Sequence, residues 1–312
     1  MREQLAGEQK QLNDQLATLR AEMGTMLRGD VTEDDWQPRL EDVAHQIAQL
    51  QTRHDRLQHE LDGLDQIQDK LTALNDRRPL LLGLETDSAD GKAIISPGNP
   101  DTADHAAVWV PGMGTNLAST ADNLDRIDRL QRQADLVTRK KEGDVAVVMW
   151  LGYDAPEGVS TAASSTRAEQ GAPALDTFVD GLHATHGPGP EHITAVAHSY
   201  GSVLTGHAAA DPRGLHVTDI VTAGSPGMDT SDFRPFAAPV SDLHIDPRHF
   251  WAGAAADDPV PWLPGHGPHP DEAAFGGNVY KVDTSGHSND WDARARSPWR
   301  TRPATSWADT TT

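Results

Sequence analysis

Cysteine is absent from all 312 residues, which removes disulfides, thiolate nucleophiles and thiolate-bound zinc together. The absence does not by itself identify a compartment. Positive charge is also scarce: 26 Lys and Arg face 47 Asp and Glu, for a formal net charge of -21. Electrostatics therefore oppose docking on nucleic acid or on an anionic membrane surface. No run of about 18 apolar residues is present to cross a bilayer. The opening Met1-Arg2-Glu3-Gln4-Leu5 leads into a polar helical pattern, with no apolar stretch of the kind that drives Sec secretion. The expectation is a chain with no transmembrane segment, located in the cytoplasm, with a non-classical export route left open. What remains is long enough to bury a real core in one large domain or two modest ones.

The first part of the chain is written in a helical period. Apolar residues at Leu12, Leu16, Leu19, Met23 and Met26 alternate in steps of four and three, which places one narrow stripe on a helix. Gly29 and its neighbours from Arg28 to Thr32 break the pattern, and Asp34 or Asp35 can cap the helix that follows. A second stripe runs through Trp36, Leu40, Val43, Ile47, Leu50, His54, Leu57, Leu61 and Leu64, then shifts phase to Ile67, Leu71 and Leu74. Pro38 is tolerable because it falls in the first turn, where the missing N–H has no intrahelical acceptor anyway. The two stripes can close on each other as an antiparallel hairpin, so residues 1–76 are expected to form a helical, coiled-coil-like arm. Spare apolar length on the second helix leaves a homo-oligomer through the arm open.

Beyond the arm the pattern changes to short apolar runs separated by turn formers. Leu80 to Leu84 and Lys92 to Ile95 predict an opening strand pair. Further strands are predicted at Ala107 to Val110, Val145 to Trp150, Ile193 to Ala197, Asp219 to Ala223, His249 to Gly253 and Asn278 to Val282. Helical patterns lie between them at Leu117 to Lys140, Thr166 to Leu182 and Ser202 to Ala210. Such alternation is the signature of an α/β domain with a mostly parallel sheet flanked by helices, here over residues 77–290. Residues 291–312, rich in Arg, Ser, Pro and Thr and without periodicity, are expected to be an irregular tail.

One turn carries a chemical signature. Ala197-His198-Ser199-Tyr200-Gly201 joins the buried run Ile193 to Ala197 to a helical pattern. This matches the Gly-x-Ser-x-Gly elbow, in which the residues two before and two after the serine must be small because the strand-to-helix turn is tight. Alanine at 197 relaxes the motif. An ordinary strand-to-helix connection that merely contains Ser and Gly is the bland alternative. A serine hydroxyl needs a histidine base and a carboxylate to orient it, following in the order Ser, Asp or Glu, His. His287, in the loop Thr284-Ser285-Gly286-His287-Ser288 after the last predicted strand, is the candidate base. Asp258, in Asp257-Asp258-Pro259-Val260, is the favoured acid, with Asp257 and Asp229 as alternatives. Acyl transfer also needs donors aimed at a developing oxyanion. The N–H of Tyr200 and that of Met113, in Pro111-Gly112-Met113-Gly114-Thr115, are the candidates.

Other motifs weigh less. Gly112-Met113-Gly114 lacks the third glycine of a dinucleotide fingerprint and any following Gly-Lys-Ser, so no nucleotide cofactor is expected. His266-Gly267-Pro268-His269 brings two histidines without a third ligand, so the reading is a pocket wall or rim rather than a metal site. Trp262 and Phe275 could contact an acyl chain or belong to the core. Asp154 precedes the serine and is read as site-shaping or structural.

Taken together, Val110-Pro111-Gly112-Met113-Gly114-Thr115, Trp150-Leu151-Gly152-Tyr153-Asp154-Ala155-Pro156, Ala197-His198-Ser199-Tyr200-Gly201-Ser202, Gly224-Ser225-Pro226-Gly227 and Gly286-His287-Ser288 resemble an uncharacterised actinobacterial alpha/beta-hydrolase family that joins an N-terminal helical region to a serine-hydrolase domain. The resemblance implies the alpha/beta-hydrolase fold and a Ser199, Asp258, His287 triad; it implies no substrate. The expected activity is cleavage of an ester, or of an amide, with small-molecule or lipid-like esters preferred by analogy of fold. A catalytically silent assembly module that uses the helical arm is the alternative.

Overall fold

The computed structural model describes residues 2–28, 36–74, 79–86, 90–138, 144–187, 192–230, 238–262, 265–282 and 285–287. The expected caps at Asp34 and Asp35 and the expected tail lie outside the described residues. Two compact units result, Met1–Asp69 and Lys70–Thr312.

The first unit is built on α1 (Arg2–Leu27) and on α2 (Trp36–Ala73), most of whose length falls within it. The stripe read from the sequence is the buried face. Leu16, Met26, Val43 and Ile47 form one cluster, with Leu19, Met23, Leu40 and Leu50 packed against it. Leu12, Leu57, Leu61 and Ile67 are buried as well. Polar pairs report an antiparallel register: Arg2 meets Asp65 at 2.8 Å near one end, Arg39 meets Glu22 at 2.9 Å near the other, and Arg53 pairs with Glu8 between them. Exposed pairs of this kind contribute well under about 1 kcal/mol each, so they select the register while the apolar seam supplies the cohesion.

In the second unit the strands are β1 (Leu80–Glu85), β2 (Lys92–Ser96), β3 (His105–Val110), β4 (Val145–Leu151), β5 (His192–His198), β6 (Asp219–Ala223), β7 (Phe250–Gly253) and β8 (Asn278–Val279). Among the described residues they make one eight-stranded sheet in the order β1-β2-β4-β3-β5-β6-β7-β8. β2 runs antiparallel to both β1 and β4, and every later pairing is parallel. Every residue of β4 and β6 is buried, as expected of strands covered on both faces. The helices are α3 (Thr120–Thr138), α4 (Val159–Ala162), α5 (Thr166–Thr185) and α6 (Tyr200–Ala209).

The topology positions the site. After β3 the chain crosses to β4 on one side, whereas β5 pairs with the other side of β3. Connections leaving β3 and β5 therefore diverge, and the crevice between them is where α/β sheets place their ligands. Several predicted boundaries shift: β3 begins at His105 rather than Ala107, α3 at Thr120 rather than Leu117, and α6 at Tyr200 rather than Ser202. His249 belongs to a 3-10 turn, Pro247–His249, capped by Asp246, so β7 starts at Phe250. β8 stops at Val279, although the Tyr280 N–H still reaches Ala252 O at 2.9 Å.

Leu16→Ala removes buried methyl groups from the helical seam and is expected to cost about 2–5 kcal/mol. Urea unfolding followed by helical circular dichroism would show it. A wild-type midpoint would mean that the seam does not hold the hairpin.

Candidate active site

Ser199 follows the last residue of β5 and precedes α6, with φ 54° and ψ -130°. A non-glycine residue rarely occupies this region, and holding one there costs about 1–3 kcal/mol that neighbouring structure must offset. The neighbours are visible. The Ser199 N–H donates to Ala223 O of β6 at 3.0 Å, and Ser202 N and Oγ donate to Ser199 O at 2.9 and 2.6 Å. Ser202 Oγ lies in turn 2.6 Å from Ser225 Oγ, fully buried. Small residues flank the turn for a measurable reason. A Cβ at Gly201 would stand 2.3 Å from Val110 O, and one at Gly112 would stand 2.7 Å from Ser199 Cβ.

That second distance brings the loop after β3 against the serine. The loop is braced by Tyr153, whose buried hydroxyl donates to Pro111 O at 2.8 Å, and by Thr115 Oγ1, which donates to Gly112 O at 2.9 Å. Gly114 N–H also reaches Pro156 O at 2.9 Å. The N–H of Met113 and that of Tyr200, the first residue of α6, meet no acceptor among the described residues.

The acid and base candidates separate cleanly. His287 Nδ1 lies 3.0 and 2.9 Å from the two carboxylate oxygens of Asp258, whose side chain is fully buried. Burial would raise the Asp258 carboxyl. The contact with His287 and the Val260 N–H at 2.9 Å outweigh it and hold the group below the usual carboxylate value. Asp257 instead accepts the Gly286 N–H at 2.7 Å, so it grips the backbone of the same loop and not the imidazole. Asp229 is elsewhere. It meets His207 Nε2 at 2.8 Å and His266 Nδ1 at 3.2 Å, and those contacts, with one from Ser165, overcome burial and keep it far down the acid range.

His287 sits beside the elbow. Its ring stacks on that of His198 with centroids 4.9 Å apart, and its carbonyl accepts from His198 Nε2 at 2.9 Å. Among the described residues no hydrogen bond joins Ser199 Oγ to His287. His198 had no part in the motif reading; its signal was adjacency to the serine alone.

Of the expected pocket wall or rim, the exposed rim does not fit His266. It is buried, with Nε2 2.7 Å from Ala162 O and Nδ1 facing Asp229. Burial disfavours its charged form, but acceptors at both nitrogens win and raise its pKa. Phe275 belongs to the core, stacked on Phe250 at 5.1 Å. For Trp262 only the backbone is described. Asp154 pairs with Arg167 and lies beside Asp90, whose carboxyl is pushed up to about 6 by burial first and then by Asp154. A groove of about 630 Å³ over β1 and β2, and a cleft of about 570 Å³ between α1 and α2, are lined by none of the candidate residues. Chemistry rather than cavity volume marks the site.

Comparison with known proteins gives a consistent family. A family model described as alpha/beta hydrolase matches residues 87–268. The uncharacterized protein Rv2079 of Mycobacterium tuberculosis is 36% identical over 177 residues, 55% of this chain but only 26% of that protein. The uncharacterized protein Mb0988c of Mycobacterium bovis is 31% identical over 205 residues, 64% of this chain and 74% of that protein. The chain thus spans about a quarter of the length of the first relative. Among solved structures, esterase LipW from Mycobacterium marinum aligns with a TM-score of 0.44 at 11% identity, covering 80% of this chain and 86% of that one. The structure of a protein described as a putative dienelactone hydrolase, from Klebsiella pneumoniae, aligns with a TM-score of 0.43 at 13% identity, covering 71% of this chain and 95% of that one.

The folded-state pKa of Asp258 lies below its unfolded value, so its stabilising contribution is present above about pH 4 and lost as pH falls through the lower folded value. Asp258→Asn is therefore expected to be less stable than wild type at neutral pH, with the gap closing in acid. Thermal unfolding across pH would check this; a gap that does not change with pH would contradict it.

Proposed function

Because this chain belongs to the alpha/beta hydrolase family, matched over residues 87–268, we propose that it is a serine hydrolase that cleaves a carboxylic ester, or an amide, through Ser199, His287 and Asp258. Ser199 Oγ attacks the substrate carbonyl while His287 Nε2 takes its proton, and the Asp258 carboxylate stabilises the resulting imidazolium through Nδ1–H. The oxyanion forms opposite the Tyr200 and Met113 N–H groups. His287 then protonates the leaving alcohol or amine. Water, deprotonated by the same imidazole, attacks the acyl-enzyme to release the acid and restore Ser199.

The observation that carries this reading is the contact of the His287 imidazole with the buried Asp258 carboxylate on the loop that reaches the strained serine turn. A carboxylate that holds Nδ1–H leaves Nε2 unprotonated, the tautomer a base needs. An esterase or lipase-like preference is supported by exposed apolar side chains near this corner. Met113, in the loop against Ser199, is 41% exposed, and Val159, shortly after the Pro156 brace, is 62% exposed. Such surface suits an acyl chain.

A fluorophosphonate probe is expected to label the wild type at Ser199 and to leave Ser199→Ala unlabelled. On p-nitrophenyl esters of increasing chain length, Asp258→Asn is expected to lose about 10⁴-fold in kcat, as removal of the orienting acid does in such triads. A wild type that neither labels nor turns over any ester or amide would end the proposal.

A further inference from the structure

His198 lies outside the proposed chemistry, yet it contacts the proposed base twice. It is the last residue of β5 and is 8% exposed. Its Nε2 lies 2.9 Å from the carbonyl oxygen of His287. Since a carbonyl only accepts, the ring must carry its proton on Nε2. The same ring stacks on His287 at 4.9 Å, with planes 30° apart, and on Trp109 of β3 at 5.9 Å, with planes 13° apart. Trp109 is itself held, its Nε1–H donating to Asn123 Oδ1 at 3.3 Å.

We propose that His198 is a positioning residue for the base: fixed between two central strands, it anchors both the backbone and the imidazole of His287 beside Ser199. This rests on the serine-hydrolase reading above. Among the described residues, 280–282 and 285–287 around His287 lie in no helix or strand, so the precision an imidazole needs comes from contacts with rigid neighbours. Asp258 fixes one ring nitrogen, and Asp257 holds the Gly286 N–H. Neither reaches the His287 carbonyl, which His198 grips.

The electrostatics agree. Burial first, and then the neighbouring His287, push His198 down to about 4, so it stays neutral at working pH. A neutral ring can stack on an imidazolium that develops at His287; a second cation at 4.9 Å would oppose it.

Three variants separate the contacts. His198→Phe keeps an aromatic ring and loses the donor, His198→Gln keeps a donor near Nε2 and loses the ring, and His198→Ala loses both. On p-nitrophenyl butyrate, His198→Phe is expected to lose about 10²-fold in kcat with KM little changed, the scale of an ångström-sized misplacement. His198→Gln is expected to recover most of that loss. Wild-type kcat in His198→Phe, or a His198→Gln as slow as His198→Phe, would overturn the proposal.

A second readout needs no turnover. The proton resonance of His287 Nδ1–H, identified by its loss in His287→Gln, is expected to persist in His198→Gln and to be lost to exchange in His198→Phe and His198→Ala. An unchanged resonance in His198→Phe overturns the anchoring role. If instead the resonance responds as expected while wild-type Ser199 takes up no fluorophosphonate, the anchoring role stands and the hydrolase reading falls.

Discussion

The backbone of a single serine organises this corner of the molecule. Ser199 is held at φ 54°, ψ -130°, a conformation it would not adopt in isolation. Its N–H is taken by β6 and its carbonyl by Ser202 at the start of α6, so the turn persists because the central strands leave it no alternative. The same turn lets the loop after β3 close against the serine and puts Tyr200 at the first position of α6, where the N–H has no intrahelical acceptor. In the proposed mechanism nucleophile and oxyanion donors are therefore set by one backbone feature, and only the base and its carboxylate arrive from elsewhere in the chain.

Much of the architecture was legible because it is local. The four-three alternation around Leu16 and Ile47 needs only the helical period to be read as a seam. The run Val145 to Trp150 needs only its unbroken apolarity to be read as a buried strand. The elbow stood out because a strand, a turn and a helix coincided on five residues. Element ends were less legible where a local cap competed with strand pairing, as at His249, where the Asp246 carboxylate captures the Arg248 N–H.

What could not be read concerns pairs of side chains that meet only in three dimensions. Asp258 is favoured over Asp257 in the sequence without excluding it, and the two part only in the fold, where one accepts a backbone N–H and the other an imidazole, because successive residues on a turn point in different directions. Asp229 follows a strand end as a catalytic acid would, but His207 and His266 lie on two other segments and claim it. That pairing also explains why His266, read as a pocket wall or rim, is buried: an imidazole with acceptors at both nitrogens can leave water when a carboxylate goes with it. His198 was overlooked for the same reason, since its partners Trp109 and His287 are remote in the chain.

The loop bearing His287 has a mechanical consequence beyond its chemistry. Over two successive residues it is gripped at an amide, a ring nitrogen and a carbonyl by three different side chains. Those contacts hold the peptide that ends at Gly286 N, the peptide that begins at His287 O and the orientation of the ring between them. Accuracy at the imidazole therefore resides in these docking points at Gly286 and His287.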